Sequence, residues 1–371
     1  MITTNLPLPV QSPGSSHSLT VHRFGTPGAR PQVYIQAALH TDEIPGMLCA
    51  VHLRERLAAV EADGAIRGEI VLVPVANPLG LGQTVLGHAI GRFALGDGGN
   101  FNRDFPDLEP GTADRVKDRL GSDPDANVAL VRAAMTEELA AWPAATPVAV
   151  LKKTLVGLAL GADLVLDLHC DAEGAMHLYT LPTSGEVFAP LGAWLGSKAT
   201  LVAEVSGGDP FDEVLSRPWV SLAARFPHIP LPLAGHSVTV ELRGQADVDH
   251  TLARTDAAAI IAFLRNVGAL AGTPPALPGQ PGIVARLDQS ETLTAPHAGI
   301  VVFRAAAGDM ISAGDPVADI VDPLTGAIST VVAASSGVLF ARNSTRFATP
   351  GKRLGKIAGN GSRRSGKLLG L

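Results

Sequence analysis

The sequence predicts an α/β fold, with a mostly parallel sheet flanked by helices and a C-terminal all-β domain. Two observations carry the expectation. Short apolar runs alternate with helix-periodic stretches through most of the chain, and the pattern then changes to short β segments separated by Gly-Asp turns. A third observation concerns where chemistry could sit. His40, His169 and Glu241 each follow an apolar strand-like run (PQVYIQAAL, ADLVLDL and HSVTV), and a fourth run, EIVLVPVA, leads to Asn77. In an open α/β sheet the ligand crevice lies outside the carboxyl ends of the strands, so such residues converge although distant in sequence.

Taken in order, residues 18–39 read as β, with SLTVHRF and QVYIQAAL separated by the turn TPGARP. A helix starts near Ile44, its apolar positions recurring at helical spacing through MLCAVHLRERLAAVEA. EIVLVPVA is continuously apolar, as a strand covered on both faces should be. The stretch from Asn77 to Thr112 is glycine-rich and irregular, and long loops in compact domains are usually functional. ANVALVRAAMTEELAAW and ATPVAVLKKTLVGLAL read as helices, DLVLDL as a strand, and the segment around 252–267 as the helix that ends the first domain. GALAGTPPALPGQPG is a Pro/Gly linker, which sets the expected domains at 1–275 and 276–371.

With 371 residues, 46% hydrophobic and 17% charged, the composition is that of a soluble globular protein large enough for two domains. A net charge of −6 without a basic stripe gives no footprint for nucleic acid, and small molecules are the expected partners. The most apolar stretch, TLVGLALGADLVLDLH, is broken by Asp163 and Asp167, so no membrane span is expected. MITTNLPLPVQSPGSS has neither a basic start nor an apolar core, and the expected location is cytoplasmic. Cys49 and Cys170 are too few for a disulfide framework, and Cys170 reads as a buried bystander. A homo-oligomer is left open.

Two imidazoles and a carboxylate beside a further carboxylate suggest a hydrolytic zinc site with room for water. His40 closes an apolar run and Glu43 follows on the next turn, where residues three apart can face one ion. The second HxxE, His52 to Glu55, lies inside a helix and reads as a partly exposed pair. Glu241 is the expected proton-moving carboxylate, and Arg92 a cation for the substrate carboxylate or the developing oxyanion. Asp167, two residues before His169 and on the same strand face, is placed to orient that imidazole. Asn102 and Arg103 offer a neutral donor and a planar fork suited to a carboxylate, but a loop arginine is usually just solvated.

HTDE, NFNRDF, LDLHCD and VTVELRGQADVD, in this order, resemble the succinylglutamate desuccinylase/aspartoacylase family, relatives of the zinc carboxypeptidases. The resemblance spans roughly residues 30–265 and implies a zinc-carboxypeptidase-like fold. It also implies one Zn2+ per chain held by His40, Glu43 and His169, a catalytic Glu241, and Asn102 with Arg103 as the carboxylate-binding pair. The implied activity is hydrolysis of the linear amide of a small N-acyl amino acid. LHCDAEGAMHLYT is similar to the bacterial branch that includes N-acetyl-diaminobutyrate deacetylases. Against the resemblance, Leu-Arg-Gly follows Glu241, and Arg92 lies far from Arg103, so acyl-aspartate specificity does not transfer.

The alternatives are a metallocarboxypeptidase, which would need an open groove, and a non-catalytic metabolite-binding module. Past the linker, PHAGIVVFRAAAGDMISAGDPVADIVDPLTG resembles a biotinyl- or lipoyl-type β-sandwich, but Asp315 to Val331 contains no lysine to carry a group. A cap over the catalytic cleft is expected instead, with the basic tail from Lys352 solvated.

Overall fold

The structure, a computed structural model, describes residues 1–10, 12–279 and 281–369. In chain order the first part comprises β1 (Ile2–Pro7), β2 (Ser18–Gly25), β3 (Gln32–Ala37), α1 (Pro45–Ala62), β4 (Glu69–Val73), the one-turn α2 (Pro78–Leu81) and a two-stranded ribbon, β5 (Thr84–Val85) with β6 (His88–Ala89). Then come α3 (Glu109–Val116), α4 (Pro124–Ala141), α5 (Pro147–Ala159), β7 (Leu164–Asp171), β8 (Glu173–Gly174), β9 (His177–Thr180) and α6 (Gly185–Leu195). β10 (Ala199–Val202), α7 (Phe211–Arg225), β11 (His236–Gly244) and α8 (His250–Asn266) complete it.

One nine-stranded sheet organises this part, in the order β1-β2-β4-β3-β7-β11-β9-β10-β12, where β12 is Ile283–Arg286. Its centre, β4-β3-β7-β11, is parallel; antiparallel pairs occur where β1 meets β2, β2 meets β4, and β11 meets β9. The continuous apolar runs are explained by helices on both faces. Tyr34, Val71 and Val165 point into one core with Val131, Leu151 and Trp219 from α4, α5 and α7. Ile35, Leu72 and Leu166 point into the other with Leu53, Leu191 and Phe263 from α1, α6 and α8. Asp249 caps α8 by accepting hydrogen bonds from the backbone of Thr251 and Leu252.

β12 continues the large sheet although it lies beyond residue 275. The remaining strands are β13 (Glu291–Thr294), β14 (Gly299–Phe303), β15 (Met310–Ile311), β16 (Pro316–Val321), β17 (Ile328–Val332), β18 (Gly337–Arg342), β19 (Phe347–Ala348) and β20 (Arg353–Gly359). They form two antiparallel sheets, β13-β20-β18-β15 and β17-β16-β14-β19, around a core that includes Val301, Val317, Leu339 and Ile357. β8 pairs with β18, and Phe340 stacks 4.8 Å from the His177 ring, which seats this β unit on the large sheet.

Three expectations change. His52 is buried and lies 2.9 Å from His250 Nδ1, because α1 packs on α8 at that point. Part of the long loop is helical, since α3 begins at Glu109. The basic tail is not solvated: β20 lies within it, Arg364 donates to Ser290 and Thr292, and Leu368 N donates to Ser206 O. Among the described residues no helix is long and apolar enough to cross a membrane.

Candidate active site

The site begins where β3 ends. After Ala37 the chain turns at Ala38, whose φ of 59° is a left-handed conformation that a residue with a Cβ adopts at a cost. That turn carries Leu39 and His40 away from the sheet, with Leu39 O held by Asn77 Nδ2 at 3.0 Å. Asn77 thus supports the backbone beside His40 and also caps α2 through Gly80 N. The following turn is pressed against the loop of Arg92. A Cβ on Gly91 would lie 2.1 Å from Thr41 Oγ1, and Thr41 N donates to Gly91 O.

His169 and Glu241 do not follow their strands, as the sequence suggests, but lie inside them. Pairing of β7 with β11 persists to Asp171 and Gly244, beyond the runs of purely apolar residues. Glu241 and His169 are direct partners across these strands and share one face of the sheet. On its other side Glu241 faces His177 of β9.

His40, Glu43 and His169 form a buried group whose donor atoms are close enough to share one metal ion. His40 Nδ1 is 3.0 Å from Glu43 Oε1, and His169 Nδ1 is 2.7 Å from Glu43 Oε2. Each ring is held from behind: His40 Nε2 lies 2.8 Å from Asn100 Oδ1, and His169 Nε2 lies 2.9 Å from Asp167 Oδ2. Asp167 is itself held by Gln36 Nε2 at 3.0 Å, and Gln36 accepts from Tyr34. Acceptors behind an imidazole keep its other nitrogen aimed into a metal site. Two nitrogens and a carboxylate suit zinc or a similar divalent cation.

Electrostatics agree with that fit. Burial disfavours the ionised Glu43, but the two imidazoles outweigh it and hold its carboxyl well below the usual range. Burial also opposes a charge on His169, yet Asp167 and Glu43 raise its affinity for a proton well above normal. A metal that binds here therefore displaces a proton. His40 moves down instead, through burial and, with Glu43 opposing, the charge of Arg92. Glu241 is pushed well up, by burial first and then by Asp171 and Glu43, and its Oε2 has no hydrogen-bond partner among the described residues.

Around this centre a pocket is lined by Arg92, Asn102, Arg103, Asp171, Tyr179 and Asp212, among others. The Arg92 guanidinium lies 3.1 Å from His40 Nδ1 and 3.3 Å from Glu43 Oε1. Asn102 is buried, with Oδ1 accepting from Phe211 N at 2.8 Å and Nδ2 facing His169 at 3.5 Å. The stem of Arg103 crosses Gly208, where a Cβ would stand 2.8 Å from Arg103 Cδ. Cys170 donates its backbone N–H to Glu43 while burial pushes its thiol up, consistent with a bystander side chain.

The sequence reading missed several residues here. Asn100 sits two before Asn102 in the same loop, and Asp171 two after His169 on the same strand; strand periodicity could have found the latter. Arg353 and Lys356 reach the pocket from the C-terminal β unit, with no local sequence signal.

Fold and pocket together define an α/β protein with a buried two-His, one-Glu centre at the edge of a mostly parallel sheet. The catalytic-domain model of the succinylglutamate desuccinylase/aspartoacylase family matches residues 29–129. A family protein of Shewanella amazonensis is 29% identical, with 96% of this chain and 98% of that one aligned at a TM-score of 0.85. A second, from Shewanella frigidimarina, is 24% identical over 97% of both chains, with a TM-score of 0.87. The product-bound ectoine utilization protein EutE of Ruegeria pomeroyi shares the fold at 17% identity and a TM-score of 0.67, over 95% of this chain and 93% of that one. No curated protein sequence matches significantly.

Proposed function

We propose that the protein is a zinc-dependent hydrolase that cleaves the linear amide bond of a small N-acyl amino acid. The observation that carries this reading is the pairing of Glu241 with His169, which sets a carboxyl of raised pKa beside the His40, Glu43 and His169 donor set. The match of residues 29–129 to that family's catalytic-domain model supports hydrolysis as the class of reaction.

His40, Glu43 and His169 would hold the ion, with Asp167 and Asn100 orienting the two imidazoles. Zinc, when bound, supplies the Lewis acidity that polarises the acyl carbonyl and acidifies water. Arg103 and Asn102 hold the α-carboxylate of the amino-acid half. Glu241 takes the proton of the attacking water and returns it to the amine nitrogen as the C–N bond breaks. Arg92, which reaches the His40 and Glu43 cluster from the pocket wall, would steady the oxygen that gains charge. The pocket is also walled by Arg353 and Lys356 of the C-terminal β unit, which suits a small substrate better than a peptide chain.

Glu241→Gln keeps the size of the side chain and removes its basicity, so kcat on an N-acyl amino acid should fall by roughly 10²–10⁴. Zinc content should stay near wild type, because Glu241 is assigned outside the ligand set. A zinc-replete variant with near-normal turnover would refute the assignment.

A further inference from the structure

The segment that follows β20 crosses the molecule from the β unit to the loop beside Arg103. Its near end is fastened around β13. Gly361 N donates to Gln289 O and Arg364 N to Asp288 O, both at 2.8 Å. The Arg364 guanidinium donates to Ser290 Oγ at 2.8 Å, Thr292 Oγ1 at 3.1 Å and Leu287 O at 3.3 Å. Bonds from a charged donor are stronger than neutral ones, so this is a firm anchor for a residue outside any strand.

The far end is fastened to the loop between β10 and α7. Leu368 N donates to Ser206 O at 2.9 Å, and the Leu368 side chain is buried in a cluster with Tyr179, Leu201, Leu287 and Phe340. In that loop Gly207 and Gly208 stand at φ 92° and 87°, a backbone conformation that glycine reaches without strain and leaves as easily. Contacts must therefore hold it. A Cβ on Gly207 would lie 3.0 Å from Lys367 Cα, so the segment packs on the backbone of the loop itself.

This loop carries the stretch that contains Arg103. Gly208 O accepts from Asp104 N at 2.8 Å and Asp209 O accepts from Phe105 N at 3.1 Å, while the Arg103 stem lies across Gly208. Glu213 accepts from Ser206 N and Oγ, and Arg217 donates to Asp209, which ties the loop to α7. Residues 361–369 tie it to the β unit.

We propose that residues 361–369 are a strap that positions Arg103. By holding Ser206 and the glycine pair in one conformation, the strap fixes the surface under the Arg103 stem and so sets the affinity for the substrate's α-carboxylate. Arg364 and Leu368 are positioning residues that act through Arg103. The ligand named here rests on the N-acyl amino acid reading. A loop that is competent only part of the time weakens apparent binding by that fraction and leaves the bound state unchanged. The signature is a change in KM without one in kcat.

The test uses the full chain loaded with zinc. Arg364→Ala should raise KM roughly 5- to 20-fold for an N-acyl amino acid with a free α-carboxylate, with kcat within about twofold, and should leave an α-amidated analogue nearly unaffected. Arg364→Lys keeps a charged donor and should restore part of the loss. Leu368→Pro removes the N–H that reaches Ser206 and should act as Arg364→Ala does. In an Arg103→Ala background neither variant should have a further effect, because the residue they position is gone. Hydrogen exchange supplies a readout that needs no substrate: the amides of Asp104 and Phe105 should exchange faster in both strap variants than in wild type. Equal losses on the two substrates, a fall in kcat alone, or unchanged exchange at these amides would overturn the strap. Faster exchange together with an Arg103→Ala variant that treats both substrates alike would instead refute the carboxylate role of Arg103 and leave the strap's hold on it standing.

Discussion

Arg103 and Arg92 both line the pocket, and Arg92 also reaches the His40 and Glu43 cluster. Arg103→Ala should therefore lower kcat/KM for substrates with a free α-carboxylate more than for α-amidated analogues. Equal losses on both would make Arg103 structural. Asp212 allows a different test. Burial, then Glu213 and Asp167, raise its carboxyl to about 7 from an ordinary value of 3.8. Between those values the folded protein holds a proton that the unfolded chain has lost, so this group's contribution, full below 3.8, falls as pH rises through 7. In metal-free protein, Asp212→Asn should be more stable than wild type by about 1–2 kcal/mol at pH 8, after allowance for solvent screening. The gain should shrink toward zero near pH 4; denaturant titrations at the two pH values that show no difference would contradict the assigned shift. That His40, Glu43, His169 and Glu241 come together was legible in the sequence, because apolar runs announce strands whose carboxyl-terminal parts converge. Asn100 and Lys356 were not, since a loop amide and a lysine in a basic tail look solvated until tertiary contacts bury them.

At the scale of elements, the register of β7 against β11 does most to assemble the centre, and the helices behind the sheet keep that register. Arg243, at φ 65° near the carboxyl end of β11, makes a two-pronged contact with the buried Asp256 of α8, at 3.1 and 2.5 Å. Arg243 is thereby paired with Asp256 and forms no ion pair with Glu241. Asp256→Ala would strand a largely buried guanidinium and should cost roughly 2–4 kcal/mol in global unfolding, read by urea titration. A change below 0.5 kcal/mol would mean that the ion pair is dispensable. The central strands were legible as continuous apolar runs, and α1, α4, α5 and α8 as long helix-forming stretches with no proline after the first turn. β1, α6 and α7 were not recognised: β1 is an exposed edge strand, and α6 and α7 contain Pro190 and Pro218, which mask a helical pattern.

Over the whole molecule, the C-terminal β unit belongs to the site rather than standing beside it. Its Phe340 packs on His177, its Arg342 donates to Glu173, and β20 brings Arg353 and Lys356 to the pocket. The change from α/β to all-β was readable from turn spacing, but the docking was not, because it depends on one short pairing between β8 and β18 and on packed side chains. The central claim is that His40, Glu43 and His169 hold a single zinc ion. It is tested most directly by elemental analysis of wild type and His169→Ala, both exposed to zinc and then desalted. One zinc per wild-type chain and close to none in the variant is the expected result; full zinc in His169→Ala, or none in wild type, would contradict it.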